Sequence, residues 1–592
     1  MVASPLRWIL VEPDPQAVAA LVDTLGLDPL LARLLVNRGH ATPEAAQAFL
    51  APSLRDLPDP MTMADAQTGA DCIAQVIQRR GRICIYGDYD VDGISASALL
   101  HEFFLLLGVE TRVFLPDRFR DGYGLNGDRL RELGDEGFDL FIAVDCGSRS
   151  VDEIAAVRAR GIEFVVCDHH ALGPEHPPAT AFLNPHRLDC RYPDKHLSAV
   201  GVALVLAQAT RRALQLRGIN TERIDLKGLL EFAALGTIAD MVQLRGVNRI
   251  LSWHGLRLLG TSTRPGIQAL AAQAGPREGA RADRVGFDLG PRINAAGRVA
   301  DAHTAFRLLT TRLTDEATTL AARIEVENNQ RRTLQAHVVQ AALLRAETQV
   351  GREDAIVVAD VDWHQGVVGI AASKLKDALG VPVFVLAVDP DGLARGSGRS
   401  VVGYDLVEGL RACCGDGLAE RYGGHAFAAG VTIRADRIEA FRERLCRHVA
   451  EVLPADQRGE VVPIDAPVVP GEVSVQTVDQ IEQLEPFGKG NRRPHFLLRD
   501  VQVAEFQIVG KQRDWVRGKV VVAGGRQALW ARETLPFFGP LRVLEGLQRG
   551  DRFDGVIKLE RNSFQGKSTL QATVEAVLPP GTPIDTRSAS PE

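Results

Sequence analysis

The stretch YGDYDVDG, residues 86–93, sets Asp88, Asp90 and Asp92 on alternate positions directly after the apolar run RICI. Three carboxylates this close repel one another unless something positive sits between them. Two further apolar runs end in the same chemistry: FIAVDCG at Asp145, and FVVCDHH at Asp168, His169 and His170. A later segment, LEFAALGTIADMV, adds Asp240 after apolar residues. One Asp after a strand is more often a helix N-cap, and one loop histidine is more often simply satisfied where it stands. Acids and imidazoles repeated at successive strand ends are harder to explain that way. An oxygen- and nitrogen-rich set without thiolates suits Mn2+ or Mg2+ and argues against structural zinc. Two such ions about 4 Å apart would activate a water and clamp a phosphate in line.

Other segments offer groups that hold phosphate. GPRINAAGR (290–298) places Arg292, Asn294 and Arg298 among small residues that let the backbone approach a ligand; the competing reading is an ordinary loop with surface arginines. In WHQGVVGIAASKL (363–375), Trp363 reads as core packing, and His364 and Gln365 read as the edge of a lobe. GSGRS (396–400) offers Ser397 and Arg399, and GGHAFAAG (423–430) offers Gly424 and His425. A guanidinium fork fits phosphate, and glycine-rich loops can turn backbone N–H groups toward an anion. Taken singly, each is more often a tight turn or a surface arginine. Together they place an anion grip opposite the acid rim, which suits a chain of phosphates better than a small neutral substrate. Near the C-terminus, KQRDWVRGK carries Lys511, Arg513, Trp515, Arg517 and Lys519 at every second position. As a strand, all five would share one face and make a platform for single-stranded DNA. The competing reading is a solvated hairpin in which Trp515 closes a core.

Parallel strands are the elements that can bring such residues together, because ligands bind beyond their carboxyl ends. From about residue 80 to 240, short β-branched runs alternate with helical patterns, as βαβ units and a mostly parallel sheet require. Residues 313–350 contain no Gly or Pro. They predict a long connecting helix, capped by Thr314 and ended by Gly351. A second α/β region follows over 351–455. Beyond a linker, 456–580 reads as a small OB-like β-barrel. Residues 1–50 predict a helical segment, 51–312 the acid-bearing domain, and 581–592 a disordered tail.

The chain has 592 residues, 45% hydrophobic and 24% charged, with net charge −7. That length predicts roughly three or four domains. The charge argues against a generally basic coat but leaves room for a local basic channel. Eight scattered cysteines without a CxxC predict reduced thiols in the cytoplasm. The first residues hold no sustained apolar stretch, so no signal peptide is expected. LSAVGVALVLAQA is too short to span a bilayer and predicts a core helix, so no membrane association is expected.

DYDVDG, VDCGS, CDHH and GTIADMV resemble the four motifs of the DHH phosphoesterase superfamily. GPRINAAGR, WHQGVVGIAASKL, GSGRS and GGHAFAAG then resemble, in order, its branch of bacterial single-strand-specific exonucleases. The resemblance implies a parallel-sheet DHH domain that holds two divalent ions, Mn2+ or Mg2+, and a DHHA1 domain that grips the substrate. It implies Asp90, Asp92, Asp145, His169 and Asp240 as core metal ligands, with Asp88 a ligand or a supporting acid. Asp168 would orient the histidines, and His170 would stabilise the scissile phosphate or handle its proton. Tyr86 stands where many superfamily members carry a metal-site His. The implied activity is 5′→3′ hydrolysis of single-stranded DNA to 5′-mononucleotides in recombination and mismatch repair. The implied partners are single-strand-binding protein and a RecQ-type helicase, around a monomer. Two alternatives stand beside it. One is a relative acting on oligoribonucleotides, cyclic dinucleotides or pyrophosphate, and the other is a non-catalytic DNA-binding or replication scaffold. A scaffold has no need of the nearly complete acid set.

Overall fold

The apolar runs that precede the acids pair as a five-stranded parallel sheet. Its order is Thr111–Phe114, Ile83–Tyr86, Leu140–Val144, Glu163–Cys167, Ala181–Leu183. The computed structural model describes residues 7–222, 224–275, 281–454, 458–459, 461–510, 513–522, 534–564 and 567–589. Parallel strands covered on both faces carry continuous apolar runs, and ICIY and LFIAV are buried at every position. Ile83, Ile85, Ile142 and Val144 pack with the helices Val91–Leu106 and Ala199–Leu216. Cys84, Tyr86, Phe141 and Ala143 face the other way, toward Gly127–Asp135 and Val151–Arg158. Tyr86 lies opposite Phe114 and Ala143, and Val144 opposite Cys167. This register ends the strands together, so the acids after them share one rim.

The connecting helix is Thr314–Ala346, 33 residues long. Ala317, Leu320 and Ile324 join the core of the acid-bearing lobe, whereas Val338, Ala342 and Ala346 join that of the following lobe. Its N-cap is Leu313, whose N–H donates to Thr311 Oγ1 at 3.2 Å, so Thr314 is already helical. The following lobe holds a mixed sheet, ordered Arg421–His425, Ala428–Arg434, Leu393–Arg399, Val383–Val388, Ile356–Asp360. Only its last pair is parallel. GPRINAAGR is the helix Gly290–Val299 and not a loop. Pro291 suits its first turn, and Gly297 lets it approach closely, since a Cβ there would lie 2.3 Å from the Tyr89 carbonyl oxygen. GSGRS likewise lies in and just beyond a strand.

The chain divides into two compact units. One comprises Ser53–Arg458 with Gly488–Gly490; the other comprises Pro5–Pro52, Gly459–Phe487 and Asn491–Glu592. In the second unit, the strand Phe496–Val509 pairs with both Trp515–Val522 and Arg552–Phe564, which closes the sheet into an OB-like ring. Two expectations about the chain ends need correction. The N-terminal segment has the helices Pro15–Leu25, Pro29–Val36 and Pro43–Leu50, but it opens with the strand Arg7–Glu12. That strand pairs with Val461–Ile464 and with Asp585–Ser588, so the tail is not disordered throughout. DTRS contributes backbone hydrogen bonds and little apolar surface, and composition carries no record of those. Among the described residues the eight cysteines are buried and free, and no helix is long and apolar enough to cross a membrane.

Asp465 ties the second unit together. Its buried carboxylate meets Arg38 at 3.2 Å and Arg492 at 2.7 Å, and accepts the His495 N–H at 3.1 Å. Burial opposes its charge, but the two guanidiniums outweigh burial and hold the carboxyl below its ordinary range. Its stabilisation is therefore complete above the unfolded carboxyl pKa of about 4 and is lost as pH falls through the depressed folded value. Asp465→Asn is expected to cost about 3 kcal/mol at pH 7. Denaturant titrations of the full chain at pH 7 and in acid should show that deficit narrowing in acid. A deficit independent of pH would remove the ion pair as its cause.

Candidate metal centre and phosphate grip

Asp88 follows the strand Ile83–Tyr86, and Asp90 caps the helix Val91–Leu106. Asp90 Oδ1 accepts the N–H groups of Asp92 at 2.9 Å and Gly93 at 3.1 Å. Asp92 is buried in that first turn and accepts the N–H groups of Ala199 at 2.7 Å and Val200 at 3.0 Å. Two helix N-termini thus direct their positive ends at the acids. Gly93 is required, because a Cβ there would lie 2.7 Å from the Asp88 backbone. Gly236 lets the helix Leu230–Ala239 close on Asp92, 2.5 Å from where its Cβ would stand, and the helix ends on Asp240. Asp145 takes a left-handed φ of 64° at the end of its strand, which Asp tolerates better than most residues.

His169 Nε2 lies 3.3 Å from Asp145 Oδ1, 3.6 Å from Asp240 Oδ2 and 3.9 Å from Asp92 Oδ2. Three overlapping groups keep their ligand atoms within 4.8 Å of one another: Asp88–Asp90–Asp145, Asp92–His169–Asp240 and Asp145–His169–His170. Asp88 Oδ1, Asp145 Oδ1 and His169 Nε2 are buried without a hydrogen-bond partner among the described residues. Orphaned polar atoms of this kind are costly, and divalent cations are what this donor set fits. Asp168 differs, since its oxygens are occupied. Oδ1 accepts the N–H groups of His169 and His170 and bonds His170 Nδ1 at 2.8 Å, while Oδ2 accepts the Ser148 N–H at 2.9 Å. It is placed to orient the histidine pair, and Asn184 Nδ2 adds bonds to Ser148 Oγ and the His170 carbonyl.

The electrostatics separate the two histidines. Burial and the neighbouring His170 push His169 down to about 4, which leaves it neutral, as a metal ligand must be. Burial also opposes charge on His170, but the hydrogen bond and charge of Asp168 hold it up at about 9. Burial and the Asp90 charge raise Asp88 and Asp92 to about 7. Asp145 is raised well above the usual range by burial and by Asp90, Asp92, Asp88 and Asp240. This is the repulsion that the spacing of the acids implied.

Facing Asp90 is a cluster of guanidiniums. Burial and the charges of Arg118 and Arg331 lower Arg298 to about 10; Asp90 opposes that shift and Arg399 adds to it. Arg298 Nη1 donates to the Gly366 carbonyl at 3.1 Å, and Arg118 lies 4.3 Å from the Tyr89 ring centroid. The Nε atoms of Arg118 and Arg331 are buried without partners among the described residues. Ser397 and Arg399 border Gly369, where a Cβ would lie 3.1 Å from both side chains. The His425 ring lies 6.3 Å from that of His170, and Gly424, at φ 145°, leaves no room for a Cβ, which would lie 2.4 Å from the Ala428 carbonyl oxygen across its own hairpin. Arg331 also donates to Gln335 at 2.9 Å and Asn328 at 2.6 Å, and Arg399 to Ser373 Oγ at 3.1 Å and the Gly398 carbonyl at 2.8 Å, so what the cluster offers an anion is chiefly its crowded positive charge.

Several expected phosphate contacts have other partners. Arg292 is buried, bonds Glu325 at 2.7 Å and donates to the carbonyls of Asp288 and Gln273, so its fork is committed to holding helices together. Asn294 Oδ1 accepts the Val91 N–H at 3.2 Å and braces the acid loop. Gln365 donates to Asp389 at 2.9 Å. In the barrel, the strand begins only at Trp515. Arg513 lies before it at φ 55°, and Lys511 is outside the described residues. Trp515, Arg517 and Lys519 do share the face opposite buried Val516, Gly518 and Val520. Trp515 stacks on Phe538 with centroids 4.6 Å apart, and Lys519 is paired with Glu505 at 2.8 Å. Arg118 and Arg331 were missed by sequence reasoning. The turn-rich DRFRDGYGLN and the middle of a long helix hold no spacing that signals chemistry.

The DHH family N-terminal domain model matches residues 82–237, the DHHA1 domain 353–451 and the RecJ OB domain 464–576. The Escherichia coli single-stranded-DNA-specific exonuclease RecJ is 32% identical over 571 residues, 93% of this chain and 96% of that protein. The chain belongs to the RecJ family. The Bacillus subtilis RecJ is 36% identical over 577 residues, which is 97% of this chain and 71% of that protein. The crystal structure of Thermus thermophilus RecJ in complex with Mn2+ matches with a TM-score of 0.82 and 28% identity, over 97% of this chain and 80% of that one. Its Mg2+ complex matches with a TM-score of 0.76 and 27% identity, over 97% and 79%. Both ions are hard oxygen-seeking cations of the kind the orphaned acids of this RecJ-family chain fit.

Proposed function

We propose that the chain is a metal-dependent exonuclease that hydrolyses single-stranded DNA from 5′ to 3′ and releases 5′-mononucleotides. The observation that carries this reading is a buried acid–histidine cluster with orphaned ligand atoms beside crowded guanidiniums. Asp88, Asp90, Asp92, Asp145, His169 and Asp240 would hold two divalent ions, Mn2+ or Mg2+. Such ions, when bound, supply a more acidic water and charge neutralisation at phosphate. Arg118, Arg298 and Arg399 bind phosphate and fix the strand across the rim, with Ser397 and His425 at its border. Asp168 holds His170 in orientation at the rim, where the ring can stabilise the phosphate. Residues 51–312 form the catalytic domain, 313–350 the connector, 351–455 the substrate grip and 456–580 the DNA-binding barrel. The enzyme works as a cytoplasmic monomer in recombination and mismatch repair, with single-strand-binding protein and a RecQ-type helicase as partners. Single strands labelled at either end, digested with Mn2+ or with EDTA, test it. Mononucleotides should leave the 5′ end in Mn2+ only; release from the 3′ end or activity in EDTA would overturn the reading.

The barrel face yields a separate expectation. Arg517 is exposed and donates to Gln507 at 3.1 Å, whereas Lys519 is paired with the carboxylate of Glu505. Arg517→Ala should flatten the log–log salt dependence of binding to a long single strand by about 0.7, and Lys519→Ala should change it little. Equal slopes in both variants and the wild type would leave this face without a DNA contact.

A further inference from the structure

The loop between Phe114 and Gly127 is built to hold one side chain in place. Asp117 Oδ1 accepts the N–H groups of Phe119 and Arg120, and its own N–H donates to Asp121 Oδ2 at 2.8 Å. Asn126 Nδ2 donates to the Asp121 carbonyl, and Arg129 pairs with Asp121 at 2.8 Å. Gly122 and Gly124 take φ of 82° and 84° on either side of Tyr123. Tyr86, buried in the sheet, accepts the Asn126 N–H at 3.2 Å and donates to the Gly124 carbonyl at 3.4 Å. Tyr86 therefore anchors this loop. At its tip, Tyr123 Oη lies 3.0 Å from His170 Nε2, and its ring meets those of Tyr89 and His170 edge-on.

We propose that Tyr123 is a positioning residue of the reaction, holding the His170 ring from Nε2 while Asp168 holds it from Nδ1, with Tyr86 as the buttress of the loop that carries it. The inference rests on the proposed role of His170. A tyrosine hydroxyl serves either state of the ring: it accepts Nε2–H from the imidazolium and donates O–H to the neutral imidazole. Two bonds at opposite nitrogens fix the plane of the ring, and a group held in plane faces the phosphate without reorientation.

Tyr123→Phe keeps the ring and removes the hydroxyl. With a short single strand in Mn2+, its single-turnover rate at saturating DNA should fall about 3- to 10-fold, the worth of one hydrogen bond. The half-saturating DNA concentration should move less than about 2-fold, as expected when ground-state binding is spared. Mn2+ titration and thermal midpoint should match the wild type. Tyr86→Phe should shift the rate in the same direction. A wild-type rate in Tyr123→Phe, or an unchanged rate with weakened DNA binding, would overturn the inference. His170→Ala run alongside separates the two ideas: a wild-type rate there sinks the role of His170 itself, whereas inactive His170→Ala beside fully active Tyr123→Phe sinks only the positioning.

Discussion

Asp145→Asn is expected to abolish nuclease activity, at least about 1000-fold, while leaving the apo fold as stable as before or more so. The first half follows from position. Asp145 Oδ1 is a buried orphan 3.3 Å from His169 Nε2 and belongs to two of the three candidate ligand groups. Losing a ligand to catalytic ions removes several kcal/mol of transition-state stabilisation, and each 1.36 kcal/mol is tenfold in rate. The second half follows from charge. Without a cation, Asp145 faces Asp90, Asp92, Asp88 and Asp240, and removing its charge relieves that repulsion. Asn also keeps the shape of Asp and tolerates the left-handed φ of 64°, where Ala would add strain. Calorimetric Mn2+ titration, thermal melts of the metal-free protein and digestion of a labelled single strand form the test. Wild-type digestion with unchanged Mn2+ binding would show that the site has been misplaced.

Replacing Arg118 and Arg298 together by alanine should weaken single-strand binding by more than either change alone. A charge-assisted contact is worth about 1.5–3 kcal/mol, so each loss corresponds to roughly 10- to 150-fold. The Arg118 charge bears on Arg298, so their effects should not add exactly as independent sites would. If each meets one phosphate, the salt dependence should flatten by about 1.4 in log–log slope. Mn2+ affinity should hold or tighten, since a positive charge near Asp88 and another near Asp90 are gone. Lost Mn2+ affinity with unchanged DNA binding would place these arginines in the metal centre and not in the grip.

The acids could be found from the sequence because parallel strands leave a plain record. FIAVDCG and FVVCDHH announce apolar strands that stop on polar residues, and the geometry of a parallel sheet sends those stops to one rim. Asp168 stood out for the same reason, and its oxygens are taken by the histidines and Ser148, as an orienting role requires. What sequence could not decide was where a long side chain finds its partner. Arg292 and Arg298 stand six residues apart in one motif, yet one is spent on Glu325 while the other faces the cluster around Asp90. Arg118 and Arg331 are far apart in the chain, yet the charges of both bear on Arg298 once the connecting helix and a tight loop are folded. Asp585–Ser588 became a strand because Arg7–Glu12 offered it backbone partners, and hydrogen bonds between distant backbones depend on no side-chain type. Local pattern thus determined which strands would form and which charges they would end on. Tertiary packing determined which of those charges are answered within the protein and which are left for a ligand, because that balance depends on neighbours the chain brings together only by folding.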